Sequence, residues 1–399
     1  MRKTIDIGDL GTIITGKTPP TTNKNYYGDY AVFIKPTDIS EHSKYTYETE
    51  EMYSKLAAEK YESSLIPKGA ICVPCIGTIG TKMTMAPCDC YTNQSINSII
   101  CNENYDNEYV YYLIKNFLPG LKAYNLGTAS GREYVSKSNF EKIELVAEQD
   151  KEIQKKIGVI LSRYDSLIES HLKQIKLLEE AAQRLYKEWF VDLHFPGHEN
   201  AMIVDGVPEG WEKKPVKTII ELQSGYAFKS SAFMDDGIYK IVTIKNVKDG
   251  AFDGENVSKI ASIPEKMPKH CILENGDILL SLTGNVGRVC IVNGKNYLLN
   301  QRVAKLKSAY KAYTYCLFRS RDMFIEVNNL ANGAAQQNVS PIRIGEMKIL
   351  IPEKKWLDDF ERTVSNYILG IITLQSQIRF LTEVRDRLLP KLMSGEIAV

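Results

Sequence analysis

The sequence predicts an α+β chain in which one plan is used twice. Two mixed α/β domains, pseudo-repeats of each other, are separated by two long helices that pair as an antiparallel coiled coil. Three observations predict this. Glycines and an Asn-Gln dipeptide of the first half recur at a single offset in the second half. Two segments of roughly 40 residues carry apolar side chains at alternating spacings of three and four. The remainder is filled by short β-rich runs bounded by Gly, Pro and Asn.

The first domain is expected over 1–148. Its strands are A-V-F-I-K (31–35) and A-I-C-V-P-C-I (70–76), with a helical patch near 108–116. A long helix follows over 149–192, where Leu161, Tyr164, Ile168, His171, Ile175, Leu178, Ala182, Leu185 and Trp189 form the stripe. Such a helix would be about 60 Å long at about 1.5 Å per residue, too long to fold back inside one ordinary domain. Tyr186, Trp189 and Phe190 close it and are expected to pack on Leu389 and Leu392 of the second helix. The second domain is expected over 193–351, with strands at I-Y-K-I-V-T-I (238–244) and D-I-L-L-S-L (277–282). The second helix is expected over 352–399, with Leu357, Phe360, Val364, Tyr367, Ile371, Leu374, Ile378, Leu381, Leu388 and Leu392 as its stripe.

The repeat is read from matched positions. Gly69, Gly77 and Gly80 fall on Gly276, Gly284 and Gly287, and Asn93-Gln94 falls on Asn300-Gln301. In the helices, Ile168, Ile175, Leu178 and Leu185 match Ile371, Ile378, Leu381 and Leu388. Two similar halves make a pseudo-two-fold object, and the simplest partner for each stripe is the other. An antiparallel pairing would set one domain at each end.

Composition and motifs narrow the function. The chain of 399 residues is 44% hydrophobic and 25% charged, as in a soluble globular protein of two or more domains. No apolar run nears the roughly 18 residues of a membrane helix, and the start M-R-K-T-I-D-I has no apolar signal core, so a cytoplasmic location is expected. The net charge of +1 is not the bulk signature of a nucleic-acid binder, although local faces can still be basic. Residues 11–18, G-T-I-I-T-G-K-T, match the phosphate-loop pattern, but Pro19-Pro20 stands where its helix should start, and the second copy lacks the match. Cys72 and Cys75 form a C-x-x-C, yet they superpose on Leu279 and Leu282, and Cys88-Asp-Cys90 is too tight for a second zinc pair. Free thiols are expected, with no metal. The five histidines stand in no catalytic constellation, and no methyltransferase N-P-P-Y or D-P-P-Y motif occurs.

The chain resembles the specificity subunits of type I restriction-modification enzymes over essentially its whole length. The resemblance is carried by G-K-T-P-P (16–20), the G-x-I-G and N-Q pairs, and L-K-Q-I-K-L-L-E-E (172–180). It is carried further by R-L-Y-K-E-W-F (184–190), F-P-G-H-E (195–199), V-P-E-G-W (207–211) and R-L-L-P-K-L-M-S-G-E-I (387–397). The resemblance implies two target-recognition domains, each reading one half of a split, asymmetric site on double-stranded DNA. It implies a helix pair that sets the gap and docks two methyltransferase subunits, through which restriction-translocase subunits join. It implies no catalytic site and no cofactor on this chain, with S-adenosylmethionine, ATP and magnesium held by partners.

Within that frame, polar residues on Gly-rich loops are the candidate DNA contacts. In the first domain these are Lys17, Thr18, Lys35, Thr37, Thr78, Asn93, Gln94 and Arg132. In the second they are Ser224, Lys229, Lys245, Asn246, Thr283, Asn285, Arg288, Asn300, Gln301, Arg302, Gln336 and Gln337. Arg pairs bidentately with guanine and Asn or Gln with adenine, whereas Lys and Thr more often hold phosphate. The shared Asn-Gln pairs have a second reading, as groups that satisfy backbone. Arg132 against Gln336-Gln337 differs between copies and is the better candidate for specificity. The helix pairing is expected to rest on Leu161, Ile168, Ile175, Leu178, Leu185, Trp189, Val364, Ile371, Ile378, Leu381 and Leu388. Two other functions stay open on residues alone: a coiled-coil scaffold with protein-binding heads, and a self-sufficient DNA methyltransferase or nuclease.

Overall fold

The computed structural model of the protein describes residues 2–41, 43–127, 133–204, 206–255, 257–331 and 338–399. They form two compact units that are not consecutive in sequence. The first unit is Met1–Ser170 with Ile378–Val399, and the second is His171–Gln377. Each unit therefore holds one α/β domain and half of each long helix.

In the first unit a four-stranded antiparallel sheet runs in the order Gly11–Thr15, Ile96–Cys101, Ile71–Pro74, Thr84–Met85. A second four-stranded sheet joins Tyr27–Gly28, Met52–Tyr53, Ala31–Ile34 and Tyr91–Thr92, the last two parallel. The strand Arg2–Asp6 pairs with Glu144–Glu148 immediately before the first long helix. The second unit repeats all three. Its antiparallel sheet runs Glu221–Ser224, Val303–Lys307, Ile278–Ser281, Val289–Ile291. Its mixed sheet again has one parallel pair, Tyr239–Val242 with Tyr297–Leu299. Glu212–Pro215 pairs with Lys348–Ile351 before the second long helix. Duplicated sequence has become duplicated topology.

The first long helix is Lys151–Tyr186, continued by a π-helical turn at Lys187–Val191. The Asp150 carboxylate accepts from the Glu152 amide at 2.9 Å and starts it. The second is Lys354–Ser394. It ends where Gly395 turns left-handed at φ 81°, and the Arg2 guanidinium donates to the carbonyls of Met393 and Leu392 at 2.8 and 3.0 Å. These carbonyls have no partner inside the helix, so a cation placed there serves both their hydrogen bonds and the helix dipole.

Within each unit the start of one long helix meets the end of the other. In the first unit Ile157 and Leu161 share a core with Leu389, Leu392 and Met393. In the second, Ala182, Tyr186 and Trp189 share a core with Leu357, Phe360, Val364 and Ile371. Ile168 is buried; Ile175, Leu178 and Leu185 are partly buried against the second core. Ile378, Leu381 and Leu388 are partly exposed in the first unit. This antiparallel order corrects one expectation. The aromatic end of the first helix does not pack on Leu389 and Leu392, which belong to the first unit. Trp189 and Phe190 lie 5.6 and 4.9 Å from the Phe360 ring, and Phe190 lies 5.1 Å from Tyr313. The last turn of one antiparallel helix faces the first turn of its partner, and Phe360 is there.

Candidate nucleic-acid interface

Two loop clusters recur in both units. The first is built on a close approach of backbone. A Cβ on Gly16 would lie 2.1 Å from the Thr92 carbonyl oxygen, and one on Gly225 would lie 2.2 Å from that of Asn300. Only glycine fits either place. In the first unit the Lys17 amide donates to the Thr92 carbonyl at 2.9 Å, and the Thr18 hydroxyl donates to the Gln94 side chain. The phenols of Tyr53 and Tyr27 hold the carbonyls of Lys17 and Pro19 at 2.6 and 2.8 Å. In the second unit the Tyr226 amide donates to the Leu299 carbonyl at 2.9 Å and the Gln301 amide to the Tyr226 carbonyl at 3.0 Å. His270 donates to the Ser224 carbonyl at 2.8 Å.

The structure thus brings Lys17, Thr18, Asn93 and Gln94 together, and likewise Ser224, Asn300 and Gln301. The two asparagines do the same work. Asn93 Oδ1 accepts from the Ser95 amide at 3.1 Å and Asn300 Oδ1 from the Arg302 amide at 3.2 Å. Each closes a local turn through its own side chain. Their neighbours point outward: Lys17, Thr18 and Gln94 in one unit, and Ser224, Gln301 and Arg302 in the other, are exposed.

The second cluster is the glycine loop after the central strand. Gly77 and Gly80 have φ of 79° and 74°, and Gly284 and Gly287 have 72° and 85°. Both copies need left-handed turns at the same two places, which is why both keep the spacing. These loops carry Thr78 and Asn285, with Arg288 partly covered behind. Tyr134 bridges Ile76, and Asn338 bridges Thr283, whose hydroxyl donates to Asn338 Oδ1 at 2.9 Å. Arg132, Gln336 and Gln337 lie outside the described residues.

Lys35 and Thr37, and in the second unit Lys245 and Asn246, stand on a third loop, while Lys229 immediately precedes the turn Ser230–Ala232. Lys35 donates from its amide to Asp38, and its ammonium sits 2.7 Å from Glu50 and 3.2 Å from Glu51. Burial pulls that ammonium down, but the hydrogen bonds to Glu50 and Glu51 outweigh it and hold the group above its ordinary range. Thr37 is exposed. In the second unit Asn246 occupies the turn that Asp38 occupies in the first. It is 1% exposed, accepts from the Thr243 amide at 2.8 Å and donates to the Asp253 carbonyl at 2.9 Å. Lys245 beside it and Lys229 are exposed.

The two decoys have clear local structures. Gly11–Thr15 is a strand, and the next helical turn begins only at Lys24, so no helix N-terminus meets residues 16–18. Cys72 and Cys75 are buried free thiols, and burial pushes Cys72 up to about 11 despite the hydrogen bond from Ser98. Among the described residues no group of three or more His, Cys, Asp or Glu could hold a metal. No described helix is long and apolar enough to cross a membrane.

The family model for the type I restriction modification DNA specificity domain matches residues 2–180 and again 208–364. The chain belongs to this family. The two matched stretches each hold one complete set of the paired sheets and both loop clusters. Among relatives of the specificity-domain chain, the MjaIX specificity subunit of Methanocaldococcus jannaschii is 28% identical across 98% of this chain and 93% of its own length. The HindI specificity subunit of Haemophilus influenzae is 35% identical across 43% of this chain and 38% of its own length. The S subunit of the type I restriction-modification system from M. genitalium shares the fold, with a TM-score of 0.57, 16% identity and 98% and 96% of the two chains covered.

Sequence reasoning missed a polar cluster in the first unit. Asp165 and Arg385 are 3% and 4% exposed and pair at 2.5 Å, with the Tyr112 phenol donating to Asp165. Burial raises the Asp165 carboxyl, but the charges of Lys115 and Arg385 and the Tyr112 hydrogen bond outweigh it and hold it below its ordinary range. The signal was present as a gap: the second stripe skips from Leu381 to Leu388, and Arg385 fills the missing position.

Proposed function

We propose that this chain is the DNA-reading subunit of a type I restriction-modification enzyme, with no catalytic site of its own. One observation carries the reading. The same exposed platform is built twice on the same close-packed glycine, yet beside the shared Gln94 and Gln301 it presents Lys17 and Thr18 in one unit and Ser224 and Arg302 in the other. A shared scaffold with different tips suits two half-sites of different sequence. Such a site needs no palindrome, and half-sites on one face of B-DNA recur about every 34–36 Å.

The candidate contacts divide by chemistry. Lys17, Lys229, Lys245 and Thr37 are read as phosphate contacts; Gln94, Gln301, Arg302 and Arg132 with Gln336 and Gln337 are read as base contacts. Asn93, Asn246 and Asn300 set loop shape beside them. The long helices would dock two methyltransferase subunits and, through them, restriction-translocase subunits. Exposed apolar side chains support that role: Phe380 is 58% exposed in the first unit and Leu369 61% in the second. S-adenosylmethionine, ATP and magnesium would be bound by those partners, in the cytoplasm.

The test is to map methylated adenines in a host that expresses the chain with its neighbouring methyltransferase subunit, against the same host lacking the chain. A split, asymmetric motif that depends on the chain is expected. No new methylation, together with no salt-sensitive binding to random DNA, would turn the reading toward a protein-binding scaffold.

A further inference from the structure

The two halves of the helix pair are not equivalent, and the difference is charged. The offset that places Ile168 on Ile371 and Leu178 on Leu381 places Asp165 on Ile368 and Ala182 on Arg385. In the first unit the facing positions hold the buried Asp165–Arg385 pair. In the second unit Ile368 and Ala182, 7% and 0% exposed, lie in one apolar core. The registers agree: a Cβ on Gly370 would touch Leu178 at 3.2 Å, two residues from the alignment that sets Ala182 opposite Ile368.

A repeated helix can pair in two ways. The first helix can meet the second helix of its own chain, or it can meet the first helix of another copy, because both offer nearly the same stripe. In the second arrangement Asp165 would face Ala182 of the other copy, and a like pairing of second helices would set Arg385 against Ile368. Each would take Arg385 away from Asp165, leaving Asp165 with only the Lys115 charge near it and Arg385 with only its chain neighbour Asp386. Breaking a buried pair in this way is costlier than keeping it or replacing it by a fully apolar contact. Polar groups at buried positions of helix pairs select partner and register in this way, by penalising alternatives.

We propose that the Asp165–Arg385 pair dictates the choice of partner: it commits a first helix to a second helix and excludes pairing of like helices between two copies. The surrounding groups serve the same end. Tyr112 supplies a hydrogen bond to Asp165, and Asp386 accepts from the Arg385 guanidinium at 2.8 Å, so each member of the pair is held in position to meet the other.

The test uses the full chain, carrying two different affinity tags in one cell, and measures capture of one tagged copy by the other. The wild type is expected to show little mixing. The variant Asp165→Ile/Arg385→Ala carries the residues of the other half, so its helix pair should still fold, and mixed complexes should rise at least tenfold. A second variant, Asp165→Asn/Arg385→Gln, keeps a polar side chain at both positions while removing both charges, and covers the case in which the first is insoluble. It too should mix at least tenfold more than the wild type. A soluble variant of either kind that mixes no more than the wild type overturns the proposal, as does a wild type that already mixes as freely as the variants. The readout is association between copies, so it is independent of whether the chain reads DNA.

Discussion

Lys115 lies on the helix Asn107–Phe117 near the Asp165–Arg385 pair. Burial pushes its ammonium down to about 8; Asp165 opposes this, and Arg385 adds to it. In an unfolded chain the same group titrates near 10.4. Below about 8 both states carry the proton, and the charge penalises the folded one. Between about 8 and about 10.4 the unfolded chain binds more protons, so stability must rise with pH across that window. The contribution is on the order of 1–3 kcal/mol, discounted for partial exposure. Urea unfolding at pH 7.5 and 9.5 should therefore show a gain for the wild type that Lys115→Met loses. Parallel behaviour of the two proteins would rule this out. Nothing in the sequence marks Lys115, because its neighbours come from segments far along the chain.

At the scale of elements, the two units solve one problem differently. The helix Asn107–Phe117 and its counterpart Lys311–Arg319 each expose unpaired amides at their starts. In the first unit Asp106 accepts locally from the Tyr109 amide at 3.0 Å. Gly158 of the long helix stands so close that a Cβ there would lie 2.8 Å from the Glu108 Cβ and 3.1 Å from the Tyr109 nitrogen. In the second unit Tyr310 replaces the aspartate, and the cap comes from the long helix instead. Glu361, which the repeat places on Gly158, accepts from the amides of Ala312 and Tyr313 at 3.0 and 3.3 Å. Glu361→Ala is expected to cost about 1–2 kcal/mol, as lost caps do. Gly158→Ala is expected to destabilise by forcing the helices apart. Thermal melting of both variants checks this, and a wild-type midpoint for Glu361→Ala would contradict the capping role. The helices themselves are legible from apolar spacing and from the repeat. The cap of the second is not, because its donor and acceptor are 48 and 49 residues apart.

At the scale of the whole molecule, duplicated platforms make a prediction that a single binding site would not. Gln94→Ala is expected to relax selectivity in one half of the methylated motif and leave the other half and the gap unchanged. Gln301→Ala should do the reverse. A lost base contact is worth about 1–3 kcal/mol of discrimination. Methylation mapping of each variant supplies the check, and a change in both halves from either substitution would contradict separate reading. The near-neutral charge of +1 conceals this arrangement. Local loops, and not the average, decide which side chains meet a polyanion.

The sequence by itself determined the duplication, the two long helices and the places of the left-handed glycines. These are local or periodic properties, and a repeat announces them twice. Its order of elements also carried the family. The tertiary structure decided which stripe residues meet. Antiparallel pairing took Trp189 and Phe190 to Phe360 and left Leu389 and Leu392 to the first unit. It decided that Asn93 and Asn300 spend their side-chain oxygens on a local turn while Gln94 and Gln301 remain outside. It also turned a gap in a hydrophobic stripe into a buried ion pair, because a charge becomes structural only when its counter-charge, 220 residues away, is folded against it out of water.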